Sequence, residues 1–73
     1  MAKRTPLTTT QRLVLDYIID YRRTHTWPPT RAEIEKHFGW KSRNAAAAHL
    51  RLIAKKGYIR LVPMISRGIE VLP

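Results

Sequence analysis

The sequence contains no cysteine, only five acidic residues among its 73 positions, and no long apolar run. Without cysteine the fold can use neither a disulfide framework nor a thiolate metal site, so packing and well-capped helices must stabilise it. The longest apolar stretches, VLDYII and IRLVPMI, are far shorter than the roughly 18 residues of a transmembrane helix. The N-terminal MAKRTPLTTTQ also lacks the apolar core of a signal peptide, so we expect a soluble, cytoplasmic protein.

The charge of the chain is strongly positive. Fourteen Lys and Arg residues against five Asp and Glu residues give a formal net charge of +9 and a pI near 11.0. Such an imbalance in so short a chain indicates a polyanionic partner. The length allows one domain, which we expect to span residues 7–73. Residues 1–6 are basic and have no periodic apolar positions, so they are predicted to form a flexible arm.

Two motifs of the same kind predict where the first two helices begin. Thr8 with Gln11, and Thr30 with Glu33, have the spacing of a capping box, in which each side chain satisfies a backbone amide. The first helix should run to about residue 23, and the prolines of TWPPT should keep it from continuing into the second. The second helix should span residues 31–38 and end at Gly39. The residues predicted to face the core are Leu13, Val14, Tyr17, Ile18 and Tyr21 in the first helix and Ala32, Ile34 and Phe38 in the second.

A third helix and a hairpin are predicted from the rest of the chain. The helix should run from about Arg43 to Lys56, with Ser42 as its N-cap, and only GWK separates it from the second helix, which suggests a helix-turn-helix. Beyond it, YIRLV and GIEVL alternate in hydrophobicity, which predicts two strands with Arg60 and Glu70 paired across them. The predicted fold is therefore mostly α with a small β-hairpin: a winged helix-turn-helix of three helices and a two-stranded antiparallel wing.

The third helix has two different faces. One side carries Ala46, Leu50 and Ile53 and is predicted to be core. The other side combines small residues with hydrogen-bonding and cationic ones, which suits entry into the major groove of DNA, where Asn binds adenine and Ala contacts a thymine methyl. This is also the helix that enters the groove in a helix-turn-helix. The outer side carries Asn44, Ala47, Ala48, Arg51 and Lys55.

Further cations are placed where they could contact phosphates. They lie at the starts of the second and third helices, whose backbone amides add partial positive charge, and in the hairpin turn. If roughly five phosphates are neutralised per monomer, log K should fall with log salt with a slope near −4.5. One monomer reads one half-site, so useful affinity requires a second copy, another domain or cooperative binding on a palindrome. The predicted phosphate contacts are Arg31, Lys41, Arg43, Arg51, Lys55 and Arg67.

The segments LTTTQ, PPTRAEI, FGWKSRNAAAAHLRLIAKKGYI and SRGIEVL together resemble the N-terminal DNA-binding domain of the LexA (SOS-response) repressor family. The likeness runs from Leu7 to Leu72. It implies a winged helix-turn-helix that represses transcription by occupying an operator on double-stranded DNA, in a bacterial or phage-type, nucleoid-associated setting. By position it also implies base contacts by Ser42, Asn44 and Ala45.

The chain departs from that family in two ways. Where the family typically has two glutamates after NAA, Ala47 and Ala48 present methyl groups, so the operator should differ and favour thymine opposite them. LexA-like repressors also continue into a serine/lysine self-cleaving domain that dimerises, and no candidate dyad occurs up to Pro73. We therefore expect no self-cleavage, and either an excised DNA-binding domain or a stand-alone regulator.

Other functions are less well supported by the residues. No metal-ligand spacing or carboxylate cluster accompanies the histidines at 25, 37 and 49, so we expect no enzyme activity, catalytic residue, metal, cofactor or small-molecule ligand. The main alternative is a protein-interaction module, such as an anti-repressor acting on a related repressor, but it would not need a charge of +9. Met64 and Ile65 in the hairpin turn could contact a neighbouring protomer, insert into the minor groove or fold back on the hairpin, and of these we expect the last.

Overall fold

A computed structural model describes residues 5–73, with the backbone alone at Arg43, and has three helices followed by a two-stranded antiparallel sheet. The predicted winged helix-turn-helix fold is confirmed. Of the predicted arm, residues 1–4 lie outside the described part of the chain. None of the helices within residues 5–73 has the length and apolarity that crossing a membrane requires. The elements are α1 (Thr9–His25), α2 (Arg31–Phe38), α3 (Arg43–Lys55), β1 (Ile59–Leu61) and β2 (Ile69–Val71).

Both predicted capping boxes are present. At the start of α1, Thr8 Oγ1 accepts a hydrogen bond from Gln11 N at 3.2 Å, and Gln11 Oε1 accepts one from Thr8 N at 3.0 Å. At the start of α2 the corresponding distances between Thr30 and Glu33 are 3.1 Å and 2.8 Å. Since each box satisfies backbone amides that have no partner inside the helix, the first residue of each helix follows from the local sequence.

The end of α1 differs slightly from the prediction. The helix continues to His25, two residues past the expected end, and Thr26 then adopts a left-handed conformation with φ 73°. The Thr26 N–H donates to the Arg22 carbonyl at 2.8 Å. The chain therefore leaves the helix one residue before Trp27, ahead of the proline pair that we expected to stop it.

The other two helices end close to their predicted positions. Gly39 follows α2 with φ 70°, and a Cβ there would meet no atom within 4 Å, so glycine is needed for its conformation alone. The end of α3 is Lys55, with Lys56 as its C-cap, one residue before the predicted end. Residues 39–42 form the tight turn between α2 and α3, which fixes α3 as the second helix of the helix-turn-helix.

The core lies between the three helices and the sheet. Leu13 and Ala32 were predicted to be buried, and both predictions are wrong, because Leu13 is 53% exposed and Ala32 is exposed too. Viewed along the axis of α1, the side that meets the core is centred between the directions of residues 14 and 15. Leu15 is therefore buried where Leu13 was expected to be. Ala32 lies roughly 200° around α2 from the buried Ile34. The apolar core comprises Val14, Leu15, Ile18, Ile34, Ala46, Leu50, Ile53, Ile59 and Ile69.

The wing closes tightly at its turn. A Cβ on Gly68 would overlap the Val62 carbonyl oxygen, which explains a glycine where the two strands meet the turn. Val62 N also donates to Gly68 O at 2.7 Å. Met64 takes a left-handed φ of 67° with its side chain fully exposed, and Ile65 is 58% exposed. The prediction that they fold back on the hairpin is wrong, because both side chains are exposed to solvent at the tip of the turn.

Candidate nucleic-acid interface

The outward face of α3, defined as residues 44, 45, 47, 48, 51 and 55, is largely open to solvent. Asn44, Ala48, Arg51 and Lys55 are exposed, whereas Ala45 and Ala47 are partly buried. No acidic residue occurs anywhere in α3. The opposite side of the helix is held in the core, so the domain presents this face rigidly. A polyanion can therefore approach small side chains without meeting a negative charge.

The start of α3 adds hydrogen-bonding groups to that face. Ser42 is the N-cap, and its Oγ accepts a hydrogen bond from Asn44 N at 3.3 Å, which leaves the hydroxyl proton able to donate. The first turn of α3 carries no acidic residue, whereas the first turn of α2 contains Glu33. Of the two helix starts predicted to accept an anion, only that of α3 lacks a carboxylate that already offsets the helix dipole.

Four of the predicted phosphate-contacting cations have no partner in the part of the chain that the structure describes. Within residues 5–73 their side chains form no hydrogen bond and no ion pair, and all four are exposed. Arg43 has its backbone at the first position of α3. Of the four unpaired cations, Arg51 and Lys55 belong to the outward face itself, whereas Arg31 lies at the start of α2 and Lys41 in the turn before α3.

A groove of about 330 Å³ separates α3 from the wing. Ala47 and Arg51 line it from α3, Met64 and Ile65 line it from the wing tip, and Arg31 lines it from the start of α2. Two unpaired arginines from different helices therefore share one groove, although 20 residues separate them in the chain. This arrangement is suited to one anionic strand running between the helix and the wing.

Arg67 differs from the other predicted phosphate contacts. Its Nη1 donates to Glu33 Oε1 at 2.7 Å and to the Pro28 carbonyl at 2.9 Å, and its Cζ lies 6.0 Å from the centroid of the Tyr21 ring. The guanidinium is therefore bound within the protein, between the wing and the start of α2. A phosphate would have to compete with Glu33 for it.

Glu33 is the centre of a network that the sequence reasoning missed. Besides the Thr30 backbone and Arg67, the carboxylate accepts a hydrogen bond from Tyr21 Oη at 2.7 Å. These bonds, in the order Thr30 backbone, Arg67 and Tyr21, lower the pKa of Glu33 to about 2. The hydrogen bond to Glu33 likewise raises the pKa of Arg67. A capping box accounts fully for a glutamate at this position, so the local pattern gives no sign of a partner 34 residues away.

Acid should destabilise the fold through Glu33. Its carboxyl pKa is lowered from an ordinary 4.5 to about 2, so the stabilisation is complete above pH 4.5 and is lost as the pH falls through 2. We expect a loss on the order of 1 kcal/mol, because the side chain is 34% exposed and solvent screens its contacts. Urea unfolding across this pH range measures it. Glu33→Gln should flatten the profile and Glu70→Gln should not; identical profiles for the two variants would contradict the assignment.

The histidines take part in ring stacking. Their ring centroids lie 3.9–4.8 Å from those of their stacked partners, with one pair joining α1 to α2, one within α1, and one joining the turn after α2 to α3. In residues 5–73 no group of three or more His, Asp or Glu side chains could hold a metal ion. The stacked pairs are Tyr17 with His37, Tyr21 with His25, and Trp40 with His49.

The sequence profile described as the LexA DNA binding domain matches residues 4–68. This chain belongs to the LexA DNA-binding domain family. It is 48% identical over 67 residues to the LexA repressor of Haemophilus influenzae (strain PittGG), covering 92% of this chain and 32% of that protein. Identity is 49% over 65 residues with the LexA repressor of Saccharophagus degradans, covering 89% and 32%, and 44% over 69 residues with that of Actinobacillus pleuropneumoniae serotype 5b, covering 94% and 33%.

The family match confirms the resemblance to LexA that the motifs indicated. It includes all three helices and β1 and ends at Gly68, directly before β2. The chain spans about a third of the length of the LexA repressors compared above. The outward face of α3, including Ala47 and Ala48, lies entirely within the LexA-like region.

Proposed function

We propose that this chain binds double-stranded DNA in a sequence-specific manner and acts as the DNA-binding part of a transcriptional repressor. The observation that carries the proposal is the outward face of α3, which is largely exposed, free of acidic residues and supplied with unpaired cations on the face and beside it. Relatives named LexA repressor support it and favour it over a protein-interaction module. The proposed role is regulatory, on bacterial or phage DNA in the cytoplasm.

Base recognition is assigned to the outward face and the N-cap of α3. The Asn44 amide can bind an adenine edge bidentately, the Ser42 hydroxyl can bind a base acceptor, and methyl groups can contact thymine. Two of those methyls, at Ala47 and Ala48, stand where the family typically has glutamates, so we propose that the bases opposite them are thymines. The proposed base contacts are Ser42, Asn44, Ala45, Ala47 and Ala48.

Phosphate binding is assigned to the cations around this face. Arg31 and Arg51 share the groove between α3 and the wing, so one DNA strand can contact both. Lys41 lies in the turn before α3, and Lys55 lies at the end of the helix. These contacts orient the domain and carry no sequence information. The proposed phosphate contacts are Arg31, Lys41, Arg43, Arg51 and Lys55, with Arg67 joining them only if it leaves Glu33.

The proposed operator is palindromic and is occupied by two copies of the domain. A single helix-turn-helix contacts one half-site, and two copies related by a two-fold axis place their helices about one helical turn of DNA apart. Since each copy carries a charge of +9, the DNA between them must offset their repulsion. Half-site spacing is therefore the observation that tests this assembly.

Selection of bound sites from random duplex DNA tests the proposal. We expect a symmetric consensus with thymines opposite Ala47 and Ala48, and we expect Asn44→Ala to cost about 1–3 kcal/mol and relax preference at one base pair. Arg51→Gln is the matched control, because it should weaken all sequences alike. A pool without consensus would overturn sequence-specific binding, and recovery of the family's usual operator would overturn only the thymine assignment.

A further inference from the structure

Each capping box in this protein also binds a cation from a distant part of the chain. Gln11 Oε1, which caps α1, accepts a hydrogen bond from Lys56 Nζ at 2.6 Å. Glu33, which caps α2, accepts one from Arg67 Nη1 at 2.7 Å. The third helical residue therefore has two tasks in both boxes: it caps its own helix and it binds a distant segment. In the second box that segment is the wing.

We infer that the Glu33–Arg67 pair is a latch that holds the wing in the position required for DNA binding, which makes Glu33 a positioning residue although it does not contact DNA. The inference rests on the proposed function and adds a determinant outside the outward face of α3. The latch sets the position of the wing relative to the helices, whereas base recognition is still assigned to α3.

The hydrogen bonds show why Arg67 can fix the wing. Its guanidinium is held by two acceptors from different segments, Glu33 Oε1 at 2.7 Å and the Pro28 carbonyl at 2.9 Å, which determines its direction as well as its distance. Arg67 directly precedes Gly68, whose N–H donates to Ile65 O and whose carbonyl accepts from Val62 N. Holding Arg67 therefore holds the whole turn of the wing.

The wing needs such an anchor. Its strands have three residues each, and a two-stranded sheet of this size is marginal without contacts to the rest of a protein. Only Ile59 and Ile69 of the strands are buried in the core, whereas Leu61 is 38% exposed and the Arg60–Glu70 pair faces solvent. Ile59 pairs with Val71 at the end of the hairpin away from the turn, and Ile69 pairs with Leu61 beside the turn, so a single buried side chain anchors that end. Arg67, two residues before Ile69, adds a second attachment, which joins the turn to α2.

The position of the wing sets the groove in which DNA is proposed to lie. The latch ties the wing to the start of α2, and the next residue after the N-cap of α2 is Arg31, which lines that groove. Arg51 and Ala47 line the opposite wall from α3. A wing that moves away from α2 therefore changes the width of the groove and the spacing of the cations at its rim.

For the effect of Glu33→Gln on DNA affinity, net charge alone and the latch predict opposite signs. Replacing Glu33 by Gln removes one negative charge, which changes the formal net charge from +9 to +10 and frees the Arg67 guanidinium for a phosphate. Simple electrostatics then gives tighter DNA binding. The latch gives weaker binding, because the wing loses its place. The sign of the change distinguishes the two.

Glu33→Gln is the test variant, with Glu70→Gln as its matched control. Glutamine already serves at the equivalent position of the α1 capping box, so the cap of α2 should survive, whereas the contact with Arg67 loses its charge and is weakened to an ordinary hydrogen bond. Glu70→Gln makes the same charge change and also removes the carboxylate partner of a wing arginine, Arg60, but in an exposed pair. In titrations with a selected operator duplex we expect Glu33→Gln to bind up to about fivefold more weakly, as removing the charge from one partly exposed contact implies. Glu70→Gln should bind as the unchanged chain does, or slightly more tightly.

The position of the wing can be read without DNA. Residual dipolar couplings of the β1 and β2 amides, measured relative to those of the helices, should change in Glu33→Gln and in Arg67→Gln. They should not change in Lys56→Met, which breaks the equivalent contact at the other capping box. Should Glu33→Gln fail to fold, Arg67→Gln provides the same readout with the capping box intact. Unchanged wing couplings in Arg67→Gln would overturn the latch.

The remaining outcomes separate the latch from the proposed function. If the unchanged chain selects an operator and Glu33→Gln binds it equally or more tightly, the latch is wrong and sequence-specific binding stands. If the unchanged chain selects no operator, the proposed function fails whatever the variants do. In the double variant Glu33→Gln with Arg67→Gln, the latch predicts no further loss beyond Arg67→Gln alone, and additive losses would overturn it.

Discussion

Raising the salt concentration from about 50 mM to about 200 mM should weaken binding of one copy of this chain to an operator half-site by about 500-fold. Five cations around the outward face of α3 are assigned to phosphates, which gives a slope of log K against log salt near −4.5. A fourfold rise in salt at that slope produces the stated loss. The structure supports the count, because four of these cations have no intramolecular partner in the part of the chain that it describes.

The slope can be attributed to particular residues. Arg51→Gln should make it shallower by about 0.9, the contribution of one phosphate, whereas Arg22→Gln should leave it unchanged. Arg22 lies in the last turn of α1, and its side chain is exposed. Fluorescence anisotropy at several salt concentrations gives all three slopes. A value near −5.4 would add Arg67 to the phosphate contacts, and one shallower than about −2 would contradict the assignment of this face.

The helix boundaries could be predicted because they depend on neighbours in sequence. Each capping box uses two residues three positions apart, and Gly39 adopts the left-handed conformation that a helix end favours. No distant contact is needed to decide them. The end of α1 was missed by two residues because Thr26, which is not a typical left-handed residue, takes that role.

Predictions of burial failed where they needed the direction of the core. The pattern of α1 identified Val14 and Ile18, which are fully buried, but it chose Leu13 as their neighbour where the protein buries Leu15. Both leucines flank the same stripe, and only the packing of α3 against α1 decides between them. The prediction that Met64 and Ile65 fold back on the hairpin failed for a similar reason. The conformation of their turn depends on strand pairing across the hairpin, where Val62 N donates to Gly68 O.

The candidate site also has one part that the sequence predicted and another that it did not. The outward face of α3 followed from helical periodicity, because residues on one helix have a fixed angular relation. The groove shared by Arg31 and Arg51, and the contact of Arg67 with Glu33, join elements that only the tertiary fold brings together. Each of these side chains could be explained by its own helix or turn, so the sequence did not indicate a contact with a distant element.

Ile53→Ala should remove most of the stability of the domain. Ile53 is fully buried on α3, at the meeting of the helices and β1, and truncating such a residue costs about 2–5 kcal/mol. A domain of this size rarely has more than about 3–5 kcal/mol in total, since it has no disulfide to support its core. Thermal and urea unfolding followed by circular dichroism should show that Ile53→Ala is largely unfolded at about 37 °C.

Leu52→Ala is the control for this loss, because Leu52 is the neighbouring residue on the same helix and is 46% exposed. It should cost less than about 1 kcal/mol. An excess of operator DNA should also restore helical signal to Ile53→Ala, since a ligand that binds only the folded state stabilises it by mass action. Equal losses in the two variants would place the core on the wrong side of α3, and with it the face assigned to DNA.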